Sequence, residues 1–135
     1  MLHKFLAPFA DGAYAILRIV AGALFAFHGL QKVFGVLTDH QPPVGTQLWI
    51  GGLIELLAGA AIALGFFTSC AAFVASGQMA VAYIQFHWKF RFDEKFFPAV
   101  NGGEPALLYC FLFLFIACQG AGAFSVDRRL ARPGR

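Results

Sequence analysis

The sequence is short of charge. Only 13% of its 135 residues are Asp, Glu, Lys or Arg, against roughly 25% in soluble domains, and that scarcity excludes an ordinary water-facing surface. Seven acids stand against ten Lys and Arg, a formal net charge of +3. Most of the excess sits in the stretch "DRRLARPGR", which leaves no basic face for nucleic acid to occupy. Cysteine is sparse too. Cys70, Cys110 and Cys118 are odd in number, scattered and without a CxxC spacing, which argues against a disulfide framework or a built-in dithiol pair. No repeat or low-complexity tract stands out.

What is abundant is apolar. Hydrophobic residues make up 59% of the chain, with 17 Phe and 15 Gly; the aromatics suit lipid-facing surfaces and the glycines let helices approach closely. Four apolar runs of about 20 residues, the length that crosses a bilayer core, fall at about 14–36, 49–67, 69–88 and 105–124. The expected fold class is all-α: a four-transmembrane-helix antiparallel bundle forming a single membrane domain over residues 1–135. The middle two runs are separated only by "FTSC", whereas "LTDHQPPVG" and "KFRFDEKFFPAVNGGEP" are longer connections marked by Pro and Gly. The first run reads as a span rather than a cleaved signal peptide, because it is long, carries Arg18 and lacks a small-residue cleavage site.

Four spans put both ends on one side. That side carries Lys4, Arg128, Arg129, Arg132 and Arg135, the other Lys89, Arg91 and Lys95. The positive-inside rule then predicts a multi-pass plasma (bacterial inner) membrane protein with both termini cytoplasmic and the long loops outside.

Ionisable residues within spans cost at least ~2.5 to 3.5 kcal/mol at mid-membrane, so each needs a partner or a wet cavity. Arg18, His28, Lys32 and Glu55 qualify. At about 1.5 Å rise per residue, Arg18 and Glu55 lie too far apart along the axis to pair, whereas His28 and Lys32 bracket Glu55 in depth and share a helix face. Gly51 and Gly59, four residues either side of Glu55, predict that its face is buried against another helix. Gln78, Gln85 and His87 reach the same outer half on the third run, and Asn101 and Glu104 at the start of the fourth.

Each has a plainer reading. His28, Lys32 and Glu55 form either a structural ion-pair knot or a proton-relay or ligand site. Arg18 reads as a structural or headgroup-seeking residue, Gln78 and Gln85 as interhelical glue, and Glu104, before Pro105, as a helix-start residue. His28 with His87 is a poor basis for haem, and no metal set is recognisable. The loop "WKFRFDEKFF" reads as a segment lying at the headgroups, with a lid over the pocket as the alternative.

These residues carry a resemblance. Arg18 and Gly22, "HGLQKVFG", "GGLIELLAGAAIALGFFT", Gln78 and Met79, "NGGEPALLY" and "GAGAFSVD" together resemble the DoxX family of small four-helix membrane proteins. The turn after the second run departs from the pattern: Thr68, Ser69 and Cys70 stand where relatives often carry Arg or Lys. The resemblance implies that Arg18, His28, Lys32, Glu55, Asn101 and Glu104 form a polar core. It also implies a subunit or accessory of a quinone- or thiol-linked redox system, an oxidoreductase subunit if the protein is an enzyme at all. A quinone is then the candidate cofactor, and a soluble oxidoreductase, another membrane subunit or a second copy the candidate partner beside the bilayer. A non-enzymatic scaffold or assembly factor is the rival, and a transporter needs more room than four short spans offer.

Overall fold

A computed structural model describes residues 1–131, all helix and connections with no strand among them; Arg132 and Arg135 lie outside the described residues. The elements are α1 (Leu2–Leu6), α2 (Ala10–Phe34), α3 (Gln47–Leu64), α4 (Thr68–Ala82), α5 (Pro98–Asn101), α6 (Glu104–Gln119) and α7 (Val126–Leu130). A single 3₁₀ turn, Ala7–Phe9, joins α1 to α2, and α4 continues as a π-helical segment, Tyr83–Trp88.

Three of these stretches, Leu2–Phe34, Gln47–Leu64 and Thr68–Trp88, are long and apolar enough to cross a membrane. The fourth run is corrected at its C-terminal end. It forms a helix of 16 residues, about 24 Å against a bilayer core of about 30 Å, and stops at Gln119 rather than near 124. Gly120 and Gly122 take positive φ (78° and 64°) and turn the chain back, a conformation glycine adopts without a Cβ penalty. The first helix begins before residue 14: α2 starts at Ala10, and the 3₁₀ turn that joins it to α1 takes Pro8 in its own first-turn position.

The surface is inverted relative to a soluble protein. Mid-helix Leu57, Phe73 and Leu108 are 68%, 66% and 71% exposed, while much of the interior is alanine and glycine. In hydrocarbon there is no gain from hiding Leu, so small residues that permit close van der Waals packing belong inside instead. Gly22 and Gly59 face one another across α2 and α3; a Cβ at Gly22 would lie 2.5 Å from the Ala63 nitrogen and 2.7 Å from the Gly59 carbonyl oxygen. Gly29 abuts Leu56 in the same way, so α3 runs back along α2. The Gly partner of Gly59 in this seam is Gly52, seven residues away, not Gly51, which faces Gln78.

The helix α4 packs on α6, with the Ser76 hydroxyl donating to the Cys110 carbonyl at 2.8 Å. Larger side chains join the two pairs: Phe25 of α2 meets Phe113 edge-on at 4.7 Å and Tyr109 at 5.8 Å between centroids, contacts worth about 0.5 to 1.5 kcal/mol beyond burial. Phe25, Ile62 and Phe113 are the centre of the core. The end holding Arg18, Gly65 and α7 is hereafter the terminal end, and the end holding the long connections the loop end.

Candidate functional site

At the loop end, α2 and α3 present their two charged side chains to each other. Lys32 Nζ donates to Glu55 Oε1 at 2.5 Å, with Glu55 only 2% exposed and Lys32 33%. Gln78 of α4 completes the cluster, its amide nitrogen donating to Glu55 Oε1 at 3.1 Å and to the Gly51 carbonyl at 2.9 Å. Gly52 makes the approach of Lys32 feasible, because a Cβ there would meet the lysine Cβ at 2.6 Å. Two acceptors in this cluster, Glu55 Oε2 and Gln78 Oε1, are buried without a hydrogen-bond partner among the described residues, and a buried unpaired polar group costs about 1 to 3 kcal/mol. Arg18 Nε and Trp49 Nε1 are also buried without a partner among the described residues, so it is the pair of unmet acceptors together with the cavity beside them that marks this cluster.

The cluster forms one wall of a cavity of about 580 Å³, within the size range of small-molecule sites. His28, Lys32, Glu55, Gln78 and His87 all line it, so α2, α3 and α4 with its π segment supply the polar groups, and Tyr109 of α6 closes the far side. His87 Nδ1 lies 3.3 Å from the Asn101 carbonyl oxygen. A carbonyl only accepts, so Nδ1 is the donor in this contact. His87 belongs to the π turn, whose wider winding is closed by Lys89 N–H donating to the Ile84 carbonyl at 2.8 Å; such turns recur at functional sites.

The remaining expected residues lie elsewhere. Gln85 accepts from the Gln47 amide at 2.6 Å, tying α3 to the π segment at the rim. Asn101 spends its side chain on the loop, donating to the Lys95 carbonyl at 3.0 Å and accepting from Gly103 N–H at 2.8 Å. Glu104 is exposed and borders a separate groove of about 410 Å³ between α2 and α6. Its azimuth on α6 carries it away from Lys32 and His28. Residues 89–97 do not line the cavity; Trp88 instead gathers Phe90, Phe92 and Phe96 into an exposed aromatic cluster at 5.1 to 6.0 Å.

Arg18 takes the structural of its two readings, being wholly buried rather than reaching for headgroups. Its Nη1 donates to the Ile62 and Ala63 carbonyls at 2.6 and 2.8 Å, and Nη2 to those of Phe124 and Ala123 at 2.9 and 3.3 Å. The last carbonyls of a helix have no partner within it and carry the negative end of its dipole, so a guanidinium there satisfies both. Asp127, which sequence reasoning passed over, does the converse for α4. Its carboxylate accepts from Phe67 N–H at 2.9 Å and from the Thr68 N–H and hydroxyl at 3.0 and 2.9 Å. Burial pushes the Asp127 carboxyl up, but the Thr68 and Phe67 hydrogen bonds and the Arg18 charge outweigh it and hold it below the usual range. The one signal for it in the sequence is "SVD" following a glycine-rich turn.

A compact set of apolar helices with inverted surface and a charged pair in its interior defines a small helical membrane protein. The DoxX family model matches residues 13–88, and a relative described as an uncharacterized protein of Haemophilus influenzae is 40% identical over 119 residues, 85% of this chain and 88% of that one. The chain belongs to the DoxX family. No solved structure matches it significantly.

Proposed function

We propose that this protein is a four-span antiparallel bundle in the plasma membrane, termini cytoplasmic, whose loop-end cavity receives a quinone head group in the service of a redox system. The observation that carries the reading is the Lys32–Glu55–Gln78 cluster set in the wall of a cavity that is otherwise mostly apolar. A quinone offers two carbonyl acceptors on a flat apolar ring. Lys32 has three N–H donors and gives one to Glu55, which leaves donors for a carbonyl. His28, exposed on the same helix face, is a second donor, and Glu55 with one unpartnered oxygen is the proton relay. Electrons would come from a partner, a soluble oxidoreductase or another membrane subunit.

The Lys32–Glu55 bridge also ties α2 to α3, and that observation favours the rival, a scaffold or assembly factor in which the pair only locks the bundle. Titration of decylubiquinone into the detergent-purified protein, followed by quenching of Trp49 and Trp88, separates the two. Saturable binding, weakened at least tenfold (about 1.4 kcal/mol) in Glu55→Gln and His28→Ala, is the expected result. A wild-type protein that shows no saturable quenching leaves the scaffold standing.

A further inference from the structure

The cavity is not a closed chamber, and the place where it opens is chemically distinct from its polar wall. Ile50 on α3 and Val74 and Val81 on α4 line it and are nonetheless 49%, 52% and 47% exposed on the flank of the protein. They sit on two facing stripes: Ile50 and Ile54, one turn apart on α3, and Val74, Gly77 and Val81 on consecutive turns of α4. The tight turn at Gly65–Phe67 holds α3 and α4 together at the terminal end, and the Gln47–Gln85 bond ties them again at the loop end. The mouth therefore lies on the side of the bundle, at the depth of apolar side chains. In its middle stands Gly77, exposed, with nothing within 4 Å of where a Cβ would project. Next to it, Gln78 carries the contact inward to Gly51 and Glu55.

We infer that the α3–α4 cleft is a lateral portal, through which an amphiphile enters from the hydrocarbon of the bilayer and in which its tail remains while its head group meets Lys32 and Glu55. The inference rests on the quinone reading above and adds the route and the need for a tail. Polar wall and apolar mouth belong to one continuous cavity, so a single ligand touching both must itself be polar at one end and hydrocarbon at the other. The missing side chain at Gly77 provides the width. A helix gains nothing from an exposed glycine in its interior, which lowers stability relative to alanine.

The portal can be plugged without touching the polar cluster. Gly77→Phe fills the mouth with an exposed side chain that meets no neighbour at its Cβ, and Val81→Phe narrows it from the next turn should the first variant express poorly. Two probes are titrated into wild type and variants in the same detergent: decylubiquinone, and the tail-less 2,3-dimethoxy-5-methyl-1,4-benzoquinone. The expected result is that either variant binds decylubiquinone at least tenfold more weakly and the tail-less probe within twofold of wild type. Unchanged decylubiquinone binding in both folded variants overturns the portal, as does an equal loss of both probes. Failure of wild type to bind either probe overturns the underlying reading of the site, and with it the portal.

Discussion

The two ends of the bundle handle buried charge in opposite ways. At the terminal end Arg18 is wholly enclosed and gives four hydrogen bonds to backbone carbonyls, while Asp127 takes three from the start of α4. At the loop end Lys32 and Glu55 pair with each other, leave one carboxylate oxygen unmet and border open space. The first arrangement closes helix ends that would otherwise be unsatisfied; the second leaves capacity for something else. Arg18 Nε is also buried without a partner among the described residues, so what separates the two ends is the open space: four bonds to backbone in a closed interior mark a structural device, an unmet carboxylate oxygen beside a cavity a candidate site.

Removing the structural device has the largest expected effect. Arg18→Ala strands three carbonyls at once, those of Ala63, Ala123 and Phe124, since Ile62 keeps the Gly65 N–H, and each buried acceptor left unmet costs about 1 to 3 kcal/mol. A fall of many degrees in the detergent melting midpoint, with aggregation, is the expected readout; a midpoint near wild type would mean the terminal end is not held by Arg18. Next comes the helix seam. Gly29→Leu forces a side chain into the Leu56 backbone, and overpacking of this kind costs about 1 to 3 kcal/mol. The same measurement should show a smaller fall, while Gly12→Leu, which meets nothing, should show none.

Asp127→Ala, the smallest of the three, removes a helix cap worth about 1 kcal/mol. Its effect depends on pH, because the folded carboxyl is held below its ordinary value. A depressed carboxyl contributes stability that is complete above the unfolded value of about 3.9 and is lost as pH falls through the lower folded one. The gap between wild type and variant in a melting series should therefore be full at pH 6 and close below about pH 4. A gap constant across that range would remove the carboxylate from the account.

The same contrast governs what could be read from the sequence. Lys32 and Glu55 are legible because spans have a fixed rise, so depth and helix face follow from residue numbers alone. Both lie on long regular helices. Arg18 is not legible, since its partners are backbone carbonyls at Ile62 and in the turn at 123–124, which carry no residue-type signature. Asp127 escapes for the same reason, capping a helix 59 positions earlier in the chain. Glu104 is a matter of azimuth. Its depth matches the pocket, but the turn 101–103 sets the rotation of α6 and points it to the other groove. The π turn at Tyr83–Trp88 has no propensity signal either, and it sets where His87 and Gln85 project.

The contrast is tested most directly by replacing the loop-end pair with apolar residues. Swapping a buried ion pair for well-packed hydrophobic side chains is often neutral or stabilising, so the double variant Lys32→Met, Glu55→Leu isolates ligand binding from folding. Decylubiquinone titration of that variant, with its melting midpoint confirmed within a few degrees of wild type, is the measurement. The account predicts an intact fold with quinone binding lost; a folded double variant that binds decylubiquinone as wild type does would contradict it.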